Sequence, residues 1–480
     1  MTLSGLVRLN EALEPEPDWA HSWEPLEDGA GWRFRIRVNT DGWGEAVPVT
    51  AHDFAEHWMA LLDPESELPG AALLADIENA DAYRRGEVGA SEVGIDAPSD
   101  WILDIILERF RETFPVVTAS LPLRPPRPAN ANQVDDCQQN GGFREVGRTD
   151  FVLSLTTSEN YWNLDGSELE RIDLSIYSSG IALTEFGQAE LDLMRLTGAD
   201  VLRVRDDDSF SDAISEAQPQ RVIMLVPNLE IPPFDRVEVR RALSLVVDRR
   251  RLELIVEGRV IPATRLLPPG MFSAFDDAAA GITADFDVDA AYEELRNTPY
   301  GSADEWPAIG IDIPATDGYL DRIARDVANQ IRENLGIPVP IRVHDPAEYA
   351  EGLRERRYPL AWFDWSYPYA DPASVYTELF ASWRDFDRPV SWVDQEYDEL
   401  LLAADTLSSS ESRASAWAGC EGLLQERGAC IPLVHPIDHY LVQPWLDGLP
   451  RDGRRRLIAG QLFGLDPMRR VRVLERAETS

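Results

Sequence analysis

Residues 221–226 form a short apolar run rich in β-branched side chains, and Pro232 and Pro233 beyond it cannot continue into a helix, so the pattern predicts a strand ending before them. After the prolines, Val239, Ala242, Leu243, Leu245 and Val246 recur at helical spacing while Arg236, Arg240 and Arg241 face elsewhere. This predicts an amphipathic helix over 236–254, capped by Asp235. Nearer the start, residues 32–38 alternate apolar with Arg, which reads as a strand with one buried face, and 101–107 reads as another. Thr50 with Asp53 three positions on is a capping box opening a helix over 51–62. Residues 121–128, Leu-Pro-Leu-Arg-Pro-Pro-Arg-Pro, followed by Ala-Asn-Ala-Asn-Gln, read as a poorly packing surface loop or domain crossing. Short strands with one or two helices fill 141–218. A fresh unit follows: a Pro- and Gly-rich loop over 262–275, a helix over 288–296, a strand over 308–313, a helix over 320–335 and a strand over 339–343. Such alternation defines an α/β fold, with helices covering a sheet.

Composition narrows the chemistry. A chain of 480 residues, 44% hydrophobic, holds two or three packed domains. Its 45 basic residues are all Arg, set against 85 Asp and Glu, for a net charge of -40. Nucleic acid and anionic membranes are repelled by such a chain, and the run Arg454, Arg455, Arg456 is too short to reverse this. The absence of Lys excludes a P-loop lysine, a Schiff-base lysine and a Ser-Lys catalytic pair. A GC-rich genome and a saline habitat both account for the Arg bias. Cys137, Cys420 and Cys430 form no CxxC pair, so no disulfide framework or structural zinc site is expected, although Cys420 and Cys430 could meet. His52 and His57 lie five apart, about 140° around a helix, and cannot share a metal; His435 and His439 lie on or after a strand. No GxSxG or HExxH motif occurs. The expectation is a protein without metal, cofactor or catalytic residues. The first fourteen residues show no basic n-region or long apolar core, so no signal peptide or lipoprotein cysteine is expected, and no run reaches the roughly 18 apolar residues that span a bilayer.

Five aromatics crowd the eleven residues 362–372, Trp-Phe-Asp-Trp-Ser-Tyr-Pro-Tyr-Ala-Asp-Pro, beside two carboxylates. Rigid aromatic area suits a ligand cleft, and it suits a strand end packed in the core equally well.

These segments carry a resemblance. Asn228, Pro233-Phe-Asp235, Val239-Arg240, Ala242-Leu243 and Asp248-Arg249 resemble, in that order, the oligopeptide- and dipeptide-binding proteins of ABC importers, solute-binding protein family 5. Trp23, Trp43, Val47-Pro-Val-Thr-Ala-His-Asp-Phe54, Asn140-Gly-Gly-Phe143, Asn160-Tyr-Trp162, Ala189-Glu-Leu-Asp192, Trp365 to Pro372 and Ala429-Cys-Ile-Pro-Leu-Val434 resemble the same family. The resemblance is nearly end to end but lacks the family's opening residues and the first strand of its basal lobe. It implies a two-lobed α/β periplasmic-binding-protein-like fold (type II) with an extra small N-terminal α+β domain. The implied division is 1–137 for the extra domain, 138–220 with 443–480 for the basal lobe, and 221–442 for the second lobe.

The resemblance further implies that Trp362, Trp365, Ser366, Tyr367, Tyr369 and Asp371 run along the interlobe cleft. Tyr349 and Arg356 fall near its pocket positions, although Arg356 also reads as a solvated helix end. Asn140, Gly141 and Gly142 read as a hinge. Implied partners are a peptide or other small molecule, a permease and an ATPase; a monomer outside the cytoplasm is implied too. The alternative is a ligand-sensing domain of a larger regulatory protein. One departure stands out: the family's peptide binders hold the ligand's ammonium with an Asp four residues before the Pro of the Asp-Pro pair, and this chain has Pro368 there. Proline carries neither charge nor backbone donor. Asp364 and Asp371 are the acidic candidates to replace it, and the ligand is then a peptide held differently or a non-peptide solute.

Overall fold

Strand Arg221–Pro227 is buried along almost its whole length, because both faces of its sheet are covered, and this is why its sequence is continuously apolar. It sits inside a six-stranded sheet of order Val260–Pro262, Ile431–Pro436, Arg221–Pro227, Leu360–Ser366, Ile311–Pro314 and Ile341–His344. Ile311–Pro314 runs parallel to both its neighbours; the other pairings are antiparallel. One face presents Ile223, Leu225 and Trp362 to a core shared with helices Val237–Leu245, Arg249–Ile255 and Tyr319–Leu335. The opposite face presents Val222 and Met224 to a second core that also contains Trp19, Phe54, Trp58, Tyr376 and Trp417. The computed structural model describes every residue except 1, 11, 28, 129–136, 164–168, 218, 220, 283–284, 316–317, 385–389, 408, 452–455, 459–470 and 475–480.

Three further units, besides short two-stranded pairings, accompany this sheet. A four-stranded antiparallel sheet, Ala20–Pro25, Gly31–Ile36, Ile102–Ile106 and Ile95–Ser99, buries Trp32, Phe34 and Ile36 and turns Arg33 outward to Asp104. Helix Ala51–Leu62 packs beside it, opened by the expected box in which Thr50 N donates to Asp53 Oδ2 at 2.7 Å. Strands Phe143–Arg148, Val152–Thr157 and Arg171–Ser175 form a meander. A small sheet sets His439–Val442 between Leu193–Arg195 and Ile214–Glu216, covered by helices Ser179–Gly187 and Gly198–Arg205.

Two expectations change. The single helix over 236–254 is two, because Asp248 accepts from Arg250 N and Arg251 N and so starts a new helix; Asp235 lies one residue before the cap position, which Arg236 takes. The proline-rich connector packs closely: Leu123 and Arg124 are buried, Trp58 Nε1 donates to the Leu123 carbonyl and Arg124 donates to that of Leu3. Its tail over 129–133 lies outside the described residues. Cys420 and Cys430 are buried free thiols.

Candidate functional site

The strand period decides what the aromatic segment does. Along Leu360–Ser366, Trp362, Asp364 and Ser366 share one face, and Phe363 and Trp365 the other. Trp362 is buried in the sheet core, and its carbonyl lies 2.5 Å from the Tyr349 hydroxyl, which also reaches the Asp312 carbonyl at 3.0 Å. Tyr349 is buried, its ring stacked on Tyr358, and burial pushes its ionisation well above the usual tyrosine range. Tyr367 donates to the Leu266 carbonyl at 2.6 Å. Tyr369 lies 2.5 Å from both Glu378 and Arg111 inside a buried ionic cluster. Asp371, one residue before the cap position of helix Ala373–Phe380, accepts from Ala373 N and pairs with Arg413 at 2.7 Å, the turn-forming role open to an Asp before Pro. Trp362, Tyr349, Tyr367, Tyr369 and Asp371 thus direct their polar atoms into the protein.

Trp365 is half-buried, stacked on Phe363 and donating from Nε1 to the Ser374 carbonyl, while Ser366 is exposed. Arg356 follows helix Pro346–Arg354 with φ 53°; its carbonyl accepts from Asn228 Nδ2 at 2.7 Å and its guanidinium lies 3.9 Å from Glu230. It lines a narrow groove with Asn228, Gly352, Tyr358 and Ala361, at the opposite end of strand Leu360–Ser366 from Trp365. Asn140 is buried: its Oδ1 accepts from Ser4 N at 2.8 Å and its carbonyl from Trp19 Nε1 at 3.1 Å. Gly141 N donates to the Thr2 carbonyl and the Gly142 carbonyl accepts from Ser158 N, so these glycines join the N-terminal segment to the meander.

Beyond these residues, the chain passes between the small sheet and the six-stranded sheet twice, from Glu216 to Arg221 and from Pro436 to His439. The two meet where Ala217 N donates to the Asp438 carbonyl at 2.7 Å. Around them stands a polar group that strand pattern alone did not reveal. Arg221 pairs with Asp364 at 2.7 Å, each about a third exposed at 31% and 32%. Arg195 pairs with Asp438 at 2.7 Å, and the Arg259 guanidinium lies 4.7 Å from the centre of the Tyr319 ring. Burial raises the Asp364 carboxyl above its ordinary range, and Arg221 offsets part of that rise. A paired cation and anion, both partly open to solvent, can exchange partners with a ligand bearing the complementary charges. Among the described residues no group of His, Cys, Asp and Glu is arranged to hold a metal, and no helix is long and apolar enough to cross a membrane.

Two lobes bridged by paired crossings, with aromatic and ionic side chains at the junction, define a solute-binding protein. The profile of the bacterial extracellular solute-binding proteins, family 5 (middle), matches residues 14–387, and the chain belongs to that family. It is 27% identical over 473 residues to the oligopeptide-binding protein OppA of Bacillus subtilis, covering 94% of this chain and 85% of that protein. It is 25% identical over 472 residues to the probable deoxycholate-binding periplasmic protein YgiS of Escherichia coli, covering 93% and 84%. The structure of the murein tripeptide binding protein MppA of Escherichia coli superimposes with a TM-score of 0.75 at 22% identity, covering 99% of this chain and 93% of that one.

Proposed function

We propose that this protein is the substrate-binding component of a peptide-type ABC importer, holding a peptide or similar small solute between its lobes and presenting it to a permease driven by an ATPase. The observation that carries the reading is the pair of hydrogen-bonded crossings at Ala217 and Asp438, with the Arg221–Asp364 pair beside them. Two short connections running in opposite directions act as a hinge, and a ligand touching both lobes stabilises the closed form by its differential affinity for it. The working division is 1–137 for the extra domain, 138–220 with 443–480 for the basal lobe and 221–442 for the second lobe. Pairing of His439–Val442 with Leu193–Arg195 argues for moving the last crossing to 437–438. The Asn140 to Gly142 segment serves as the join between the first two units. We read the protein as an extracytoplasmic monomer that binds without turnover.

Trp365 and Ser366 are the members of the aromatic segment accessible to a ligand, with Asp364 and Arg221 as its charge partners. Pro368 offers no amine anchor, and its carbonyl is occupied by the Ser120 hydroxyl at 3.0 Å. Asp364 takes that task for a peptide, with Arg221 released to the ligand carboxylate. Native mass spectrometry for a co-purified ligand, followed by calorimetry with short peptides and their N-acetylated forms, tests this. Peptide binding that weakens on acetylation supports Asp364 as the anchor; a protein that ignores peptides and retains no solute would overturn the reading.

A further inference from the structure

A recess of about 540 Å³ opens at the foot of the crossings, lined by Arg205, Arg451, Arg456, Ser215, Glu216 and His439. That volume lies within the range of small-molecule sites, and none of the described lining residues comes from the aromatic segment. Among the described residues, three guanidiniums and an imidazole meet one carboxylate there, in a chain whose net charge is -40.

His439 is 2% exposed, yet neither ring nitrogen makes a hydrogen bond of good geometry; the Ile437 backbone lies beside the ring, and the nearest acid, Glu216, has Oε1 4.0 Å from Nε2. Buried polar atoms are nearly always paired, so an imidazole that lines a cavity without a hydrogen bond of good geometry marks a place where a ligand supplies the missing acceptor. Burial lowers the affinity of this imidazole for a proton, so it serves as a neutral N–H donor. Arginine adds forked N–H pairs that match the oxygens of phosphate or carboxylate.

The arginines are held in place. Arg205 donates to the Glu257 carbonyl at 2.6 Å, Arg456 to the Pro269 carbonyl at 3.0 Å and Arg451 to Ser215 Oγ at 3.4 Å. Glu257 and Pro269 flank strand Val260–Pro262 of the six-stranded sheet, whereas Arg205, Ser215 and His439 belong to the small sheet and its helix.

We propose that this recess binds a small oxyanion, a phosphate or a carboxylate-bearing solute, at a site distinct from the solute cleft. The oxyanion is held by Arg205, Arg451, Arg456 and the His439 N–H, and its occupancy ties together residues on the two sides of the crossings. The inference does not rest on peptide capture. Calorimetry on the full chain with inorganic phosphate and, separately, with citrate, at ionic strength held constant with sodium chloride, tests it. Saturable binding of either anion is expected, weakened at least 10-fold in Arg451→Gln and Arg205→Gln and unchanged in Arg325→Gln, which lies on an exposed helix face. Binding of phosphate alone assigns a free phosphate, and binding of citrate alone assigns a carboxylate solute. Arg451 is exposed, so its variant is expected to melt with the parent; ¹⁵N shifts of the His439 ring on phosphate or citrate addition give a readout needing no variant. Absence of saturable heat for both anions, equal affinity in the Arg205 and Arg451 variants, or an unmoved His439 resonance at saturation would each overturn the proposal.

Discussion

Arg384 Nη2 lies 2.7 Å from Oδ2 of Asp76, joining the N-terminal unit to the segment after helix Ala373–Phe380 inside the protein. Arg111 approaches the same Asp76 oxygen at 2.5 Å, and Glu378, Tyr369 and Asp405, 3.9 Å from Arg111, join the cluster. Burial alone would raise the Asp76 carboxyl, but Arg384 and Arg111 overcome it and hold the group below its ordinary range. Two guanidiniums are tolerated side by side because carboxylates lie between them. Removing one partner leaves an uncompensated buried charge, so Arg384→Met is expected to cost about 3–5 kcal/mol. Urea unfolding of the variant measures this; a loss below about 1 kcal/mol would mean the cluster is solvated.

Arg221 and Asp364, each a third exposed, contribute little to stability, on the order of 0.2–1 kcal/mol. If they hold the ligand's charges, Asp364→Asn weakens binding of free-amine ligands about tenfold while the melting temperature barely moves. Calorimetry and thermal melts on one preparation separate the two effects, and unchanged affinity would remove Asp364 from the site.

Burial pushes the Asp405 carboxyl up to about 6, a rise moderated by Arg111 and Arg413 and reinforced by Asp76 and Asp371. The folded protein therefore binds this proton more tightly than the unfolded chain. The resulting stabilisation is fully present below about pH 4 and is lost as pH rises through 6. Over that window the contribution falls by about 3 kcal/mol. Asp405→Asn, which mimics the neutral form, should remove this component, so the difference in stability between parent and variant changes across pH 4–6. A constant difference across that range would place the titration elsewhere.

A net charge of -40 implies repulsion across the folded surface that salt screens over about 10 Å at 0.1 M. The melting temperature is expected to climb between low and molar sodium chloride. A flat profile would show that local Arg–carboxylate pairs already neutralise the field.

Much of this protein was legible before folding was considered. The apolar run at 221–226, the alternation at 32–38 and the Thr50–Asp53 capping box each set a local element, because backbone sterics and the strand and helix periods act over a few residues. The order of its motifs carried the family. The helix break at Asp248 was also a local signal, masked by the apolar stripe running through it.

The tertiary structure decided the rest. Periodicity separates Trp362 from Trp365, but only packing puts Trp362 in the core and leaves Trp365 at its edge. Asp364 meets Arg221 across 143 residues of sequence because two strands align in one register, and Arg195 meets Asp438 across 243. Sequence by itself determined the elements and the kinship, since these depend on near neighbours. Which charges pair, which aromatics are covered and where an imidazole is left without a hydrogen bond of good geometry depend on distant segments brought together, and only the folded chain determined them.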